Sequence, residues 1–142
     1  MARVNIELPA MFPFNTELTI RITDINYGQH LGNDALLGLL HEARVRFLGA
    51  HGLSEKDVGG CGLIMADAAI VFKSQGRYGQ RLRVSIAVVD PGPVGCDLVY
   101  LVSDANTGIE VARAKTGMVF FDYNRNKVAR MPERFRALCP GH

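Results

Sequence analysis

No apolar run in this chain approaches the ~18 residues that a membrane-crossing helix needs, and its basic residues form no tract. The 16 Lys and Arg are scattered among 14 Asp and Glu, giving a net charge of +2, so nucleic acid is not an expected partner. An anionic handle on a small molecule would need only two or three of those cations. Cysteine is scarce. Cys61, Cys96 and Cys139 are odd in number and widely spaced, which indicates neither a disulfide framework nor a zinc site and leaves reduced thiols packed in a core. The opening Met1 to Glu7 lacks the positive-then-apolar pattern of a secretory leader, so a soluble cytoplasmic protein is expected. Also missing are a Gly-x-Ser-x-Gly elbow, a Gly-x-x-x-x-Gly-Lys phosphate loop and a dinucleotide fingerprint, so no cofactor and no metal is expected.

What is present suits one domain over residues 1–142, with 48% hydrophobic against 21% charged residues and no repeat or low-complexity break. Pro9 and Pro13 bracket an irregular opening segment, after which Glu17 to Thr23 alternates polar and apolar residues like a half-buried strand. Ala35, Leu36, Leu37, Leu39, Leu40, Ala43, Phe47 and Leu48 then recur at helical spacing. The first half of that helix is apolar on almost every side, so it should be buried with something wrapped around it. Asn33 or Asp34 can cap it, and Gly49 or Gly52 can end it.

Beyond Gly59-Gly60 the period becomes that of strands at Leu63 to Phe72, Arg81 to Val89, Cys96 to Ser103 and Ile109 to Phe121. The short Gly-, Pro-, Asn- and Asp-bearing links between them predict a meander of antiparallel neighbours. The order of one strand, one long helix and four strands is that of an α+β fold, a five-stranded antiparallel sheet curved around a central helix. The charged tail from Asn124 to His142 reads as a solvated closing segment with one short helix from Glu133 to Leu138.

Chemistry should concentrate where polar residues meet the helix start. Asp24, Asn26, His30 and Asp34 lie within eleven residues there, beside free backbone N–H groups and the positive end of the helix dipole, an arrangement suited to a developing oxyanion. Each of these residues also has a plainer role. Asp24 can bond the loop backbone, His30 can fix a Gly-flanked loop, and Asp34 can cap the helix. Glu42 is expected to pair with Arg46 one turn on, and Gly38 suggests a strand or ligand crossing closely. Arg77, Tyr78, Arg81 and Arg83 form a small basic cluster around a turn, able to receive phosphates or simply to be solvated.

Read together, Asp24-Ile-Asn-Tyr-Gly-Gln-His-Leu-Gly-Asn33, Glu42-Ala-Arg44, Arg77-Tyr-Gly-Gln-Arg-Leu-Arg-Val84, Phe121-Asp122 and Met131 to Glu133 resemble the hotdog-fold acyl-CoA thioesterases of the 4-hydroxybenzoyl-CoA thioesterase type. The resemblance implies the hotdog fold and hydrolysis of an acyl-CoA, with coenzyme A entering only as part of the substrate. It also implies a homodimer or homotetramer with sites between subunits. Gly32 and Asn33 would contribute to the oxyanion hole, Arg77, Tyr78 and Arg81 would receive coenzyme A, and Asp67 could face Asn26 only across an interface. The family's Asp-x-Asp is Asp24-Ile-Asn26 here, so the usual nucleophile or base is a neutral amide. Proton removal then falls to Asp34, Asp24, His30 or Glu42, with Asp34 favoured for its place beside Asn33. Hydration of an enoyl thioester, and acyl-thioester binding without turnover, are the alternatives.

Overall fold

The computed structural model describes residues 3–141. Met1 and Ala2, part of the stretch read above for a leader, and His142 of the charged tail lie outside that range. A short strand β1 (Phe14–Thr19) leads through a single 3-10 turn (Ile22–Asp24) into helix α1 (Asn33–Ala50). Strands β2 (Gly62–Phe72), β3 (Arg81–Val89), β4 (Gly95–Asp104) and β5 (Glu110–Asp122) follow, then a two-residue β6 (Lys127–Val128) against β5 and a short helix α2 (Glu133–Arg136). No helix among the described residues is long and apolar enough to cross a membrane.

Alternation decides the two faces of the sheet. Leu82, Val84, Ile86 and Val88 of β3, Cys96, Leu98, Tyr100 and Val102 of β4, and Ala112, Ala114, Met118 and Phe120 of β5 are buried against α1, which returns Leu36, Leu40, Ala43 and Phe47. The sheet is antiparallel throughout and curves around one long helix, as expected. Its order, β1-β3-β4-β5-β2, departs from the expected four-strand meander. Only β3, β4 and β5 form a meander; β2 pairs with β5 at the far edge. The link at residues 73–80 is therefore not a hairpin. It crosses the ends of β5 and β4 and is pinned there by Leu31 N–H to Gly76 O at 2.8 Å and by Ile20 and Gly79–Gln80 exchanging backbone bonds at 2.9 Å. A Cβ on Gly76 would lie 2.9 Å from both Ile20 and Leu31, which is why glycine stands at this crossing.

Helix α1 differs from expectation at its start and on its outer side. Gly32 is the N-cap and no side chain caps the helix, so neither Asn33 nor Asp34 plays that part. The C-terminus is built as anticipated: Gly52 takes φ +71°, with Leu53 N–H donating to Leu48 O and Gly52 N–H to Gly49 O, a Schellman closure. One flank stays open. Leu37, Gly38, His41, Val45 and Gly49 are exposed, and a Cβ on Gly38 would meet nothing within 4 Å, so no strand crosses there. β1 begins three residues earlier than its alternation suggested and ends at Thr19, because Asp24 pulls residues 21–24 into a turn. Cys96 and Cys139 are buried and Cys61 is half-buried, all three as free thiols; burial pushes the Cys96 thiol up to about 12.

Candidate active site

The loop before α1 is built by two side chains. Asp24 is buried and accepts from the Arg21 backbone N–H at 2.8 Å and from the Arg21 guanidinium at 3.1 and 3.2 Å. Burial alone would raise its carboxyl, but the bonds from Arg21 outweigh it and hold Asp24 below the usual carboxylate range. Asn26 closes the next turn. Its Oδ1 accepts from the N–H of Gly28 at 2.9 Å and of His30 at 3.2 Å, while its own N–H donates to His30 O at 2.9 Å. With Oδ1 occupied, the Nδ2 amino group is the part of Asn26 left to act on a ligand.

This loop sets the first turn of α1 beside a cavity. Gly32 N–H is taken by Asp24 O at 2.9 Å, which corrects the expectation that it serves an oxyanion; Asn33, Asp34 and Ala35 N–H have no partner among the described residues. The cavity, about 350 Å³, is lined by Asn26, His30 and Asn33 on one side and by Phe72, Lys73 and Gln75 on the other, over a floor of Leu31 and Val111. None of the lining residues is an acid. Asn26 also borders a second cavity with Gln29, Arg77 and Tyr78, so it lines both.

A family description, the thioesterase-like superfamily, matches residues 20–138. The chain belongs to that superfamily. Thioester hydrolysis is therefore its enzyme class. A comparison with curated protein sequences gave no significant match. Among solved structures, the fold resembles the 1,4-dihydroxy-2-naphthoyl-CoA thioesterase of Synechocystis, with 24% identity over 88% of this chain and 93% of that one and a TM-score of 0.80. It resembles a Staphylococcus aureus protein solved in complex with CoA, at 17% identity, 95% and 85% coverage and TM-score 0.79. The probable thioesterase YbaW of Escherichia coli is similar at 17% identity, 87% and 93% coverage and TM-score 0.71.

Within this thioesterase the candidate residues separate into groups. Asn26, His30 and Asn33 share the first cavity; Arg77 and Tyr78 join Asn26 at the second. Asp24 is committed to Arg21. Asp34 is exposed in the first turn of α1 and lines neither cavity. Glu42 pairs with Arg46 at 2.9 Å on the β1 side of the helix, where Arg46 also reaches Thr16 and Glu17, so the expected ion pair holds and Glu42 is remote from Asn26's cavity. Arg81 does not join Arg77. It lies on the outer face of the sheet beside Glu17 and donates to Asn106 at 2.9 Å. Asp67 is on that face too, accepting from Lys115 Nζ at 2.8 Å and Gly117 N–H at 2.9 Å, contacts that hold its carboxyl low.

Sequence reading missed two things. Phe72, Lys73 and Gln75 enter the cavity only because the residue 73–80 link crosses the sheet. The other is a polar chain under α1. Buried Arg44 donates through Nε to Glu55 at 3.1 Å and through Nη1 to the Tyr100 hydroxyl at 3.1 Å, and Tyr100 and Thr116 share a hydrogen bond of 2.7 Å. The second Glu55 oxygen holds His41 Nε2 at 2.6 Å. Burial works against the Arg44 charge, but Tyr100 and Glu55 more than offset it. An arginine on the inward helical face with Leu40, Ala43 and Phe47 was the available signal.

Proposed function

We propose that this thioesterase hydrolyses acyl-coenzyme A to the free acid and coenzyme A, needing no cofactor beyond the coenzyme carried by its substrate. The carrying observation is the pair of unpartnered amides at Asn33 and Asp34 in a turn whose Asn33 borders a cavity that Asn26 also lines. A thioester carbonyl docked there would gain two backbone donors and the helix dipole as its oxygen becomes negative, while Asn26 Nδ2 orients the carbonyl or the attacking water. Donors fixed in advance need no reorganisation during the reaction. Arg77 and Tyr78, at the second cavity on the other side of Asn26, would receive the coenzyme's phosphates and adenine by charge-assisted bonding and stacking. That a protein of the same fold was solved with CoA supports the same class of ligand.

Hydration fits less well, because the acid it would require at Asp24 is buried and bound to Arg21 on both oxygens. Thiol release is the test. Short, medium, long and aromatic acyl-CoA substrates are offered, and at least one should turn over with Asn33→Pro, which removes that N–H at the first helical position where proline fits, losing on the order of 10²-fold in kcat. Tight binding of every acyl-CoA without thiol release would leave a binding protein instead.

A further inference from the structure

Resting on that reading, we propose that the acyl group this thioesterase accepts is short and ends in a carboxylate, as malonyl and glutaryl groups do, and that Lys73 and Gln75 select it. With the coenzyme at the cavity of Arg77 and Tyr78, the cavity of Asn26 and Asn33 is left to the acyl group. Its lining then describes that group.

One wall is taken up by the thioester. The amides of Asn33 and Asp34 and the Asn26 side chain serve the carbonyl and the water, while Leu31, Val111 and Phe72 suit a run of methylene groups. Opposite Asn33 stand two polar residues that hydrolysis does not use, Lys73 and Gln75. Both are exposed, and neither side chain has a hydrogen-bond or ion-pair partner among the described residues. Elsewhere the same residue types are committed: Lys115 is held by Asp67 at 2.8 Å and Asp97 at 3.5 Å, and Gln80 donates to Asp104 at 2.8 Å and accepts from Arg77 N–H at 3.0 Å.

The backbone around Lys73 is anchored. Lys73 N–H and Ser74 N–H both donate to Val111 O, at 2.8 and 3.2 Å, the Ser74 hydroxyl donates to Glu110 O at 2.8 Å, and Gly76 O accepts from Leu31 N–H. Lys73 therefore starts from a fixed point on the cavity wall, and its flexible four-carbon stem gives the ammonium reach across the mouth. The charge there has one sign. No acid lines the cavity and Lys73 adds a full positive charge, so a terminal carboxylate gains a charge-assisted bond and a terminal ammonium is repelled. Size agrees: the cavity's volume of about 350 Å³ is at the small end of ligand pockets, which run about 300–1,000 Å³, and gives room to a few carbons rather than a long chain. Hydrolysis of such a thioester consumes one water and releases coenzyme A and a dicarboxylate.

The test compares malonyl-CoA with propionyl-CoA and glutaryl-CoA with pentanoyl-CoA, pairs equal in carbon number that differ by a terminal carboxylate in place of a methyl group. Wild type should favour the acid member roughly 10- to 100-fold in kcat/KM, the range of one charge-assisted bond, and added salt should shrink that preference. Lys73→Met should abolish the preference while pentanoyl-CoA hydrolysis and inhibition by free coenzyme A stay within about threefold, and Lys73→Glu should invert it. A wild-type enzyme with no preference for the acid member overturns this inference and leaves the proposed function standing. So does a Lys73→Met variant that loses both members of each pair equally and binds free coenzyme A more weakly, which would assign Lys73 to the coenzyme. A wild-type chain that hydrolyses no acyl-CoA overturns the proposed function and this inference with it.

Discussion

Replacing Arg44 with methionine separates a buried ionic network from a surface one. The change keeps the aliphatic stem against the core and removes the guanidinium from Glu55 and from Tyr100. Tyr100 keeps its bond to Thr116, so its hydroxyl is not orphaned, and the Glu55 side chain is 26% exposed, so water can take over part of its solvation. Breaking a buried pair by deleting one partner costs about 3–5 kcal/mol, and these two compensations bring the expected loss to about 2–3 kcal/mol. For a chain of this length that is a fall in Tm of roughly 6–12 °C. Glu42→Gln serves as the control, because its pair with Arg46 is exposed on both sides and worth about 0.5 kcal/mol, while Arg46 keeps its bonds to Thr16 and Glu17. Urea unfolding of both variants at one fixed protein concentration, followed by the midpoint at constant slope, reads the difference directly. Equal stabilities for the two variants would refute the claim that the Arg44 network clamps α1 to β4 and β5.

Asp34→Asn should change kcat/KM by less than about threefold, since Asp34 is exposed and lines neither cavity; a 10²-fold loss in a thiol-release assay would return the proton-acceptor role to it. Acid should destabilise the fold through carboxylates held low by native contacts. Asp104 is held at about 2 by the Gln80 side chain and the Thr107 and Asn106 amides, and Asp24 is lowered by Arg21 against its burial. The stability they contribute is present above the unfolded value of about 3.9 and is lost as pH falls through the folded values, so Tm measured from pH 5 to pH 2 should drop less steeply in Asp104→Asn than in wild type. Gly76→Ala should cost about 1–3 kcal/mol in urea unfolding, because its Cβ would press on Ile20 and Leu31 where the residue 73–80 link crosses; an unchanged midpoint would mean the crossing yields.

The site was legible where chemistry is local. Asn26 folds its own turn, Gly52 ends its own helix, and Glu42 finds Arg46 four residues on, so each could be read from neighbours in the chain. The Asp24–Arg21 bond is equally local, three residues apart, and fits the loop role expected of Asp24. Asp34 and Asn33 could not be told apart because a helix's first residues look alike in sequence, whereas which of them borders a cavity depends on the wall opposite. That wall is Phe72 to Gln75, about forty residues away. Arg81 was grouped with Arg77 by proximity in sequence, yet alternation along β3 and the turn before it send the two to different faces.

The sequence by itself determined which segments become strands and helix, because the two-residue and 3.6-residue periods are properties of the backbone and need no partner. Tertiary structure alone decided that β2 pairs with β5, that Lys73 and Gln75 meet Asn26, and that Arg44, Glu55, His41, Tyr100 and Thr116 form one chain of bonds. Strand periods say which way a side chain points but not which strand lies beside it. That choice is made by the apolar area each arrangement buries and by whether a link can span the sheet's end, both quantities of the whole fold.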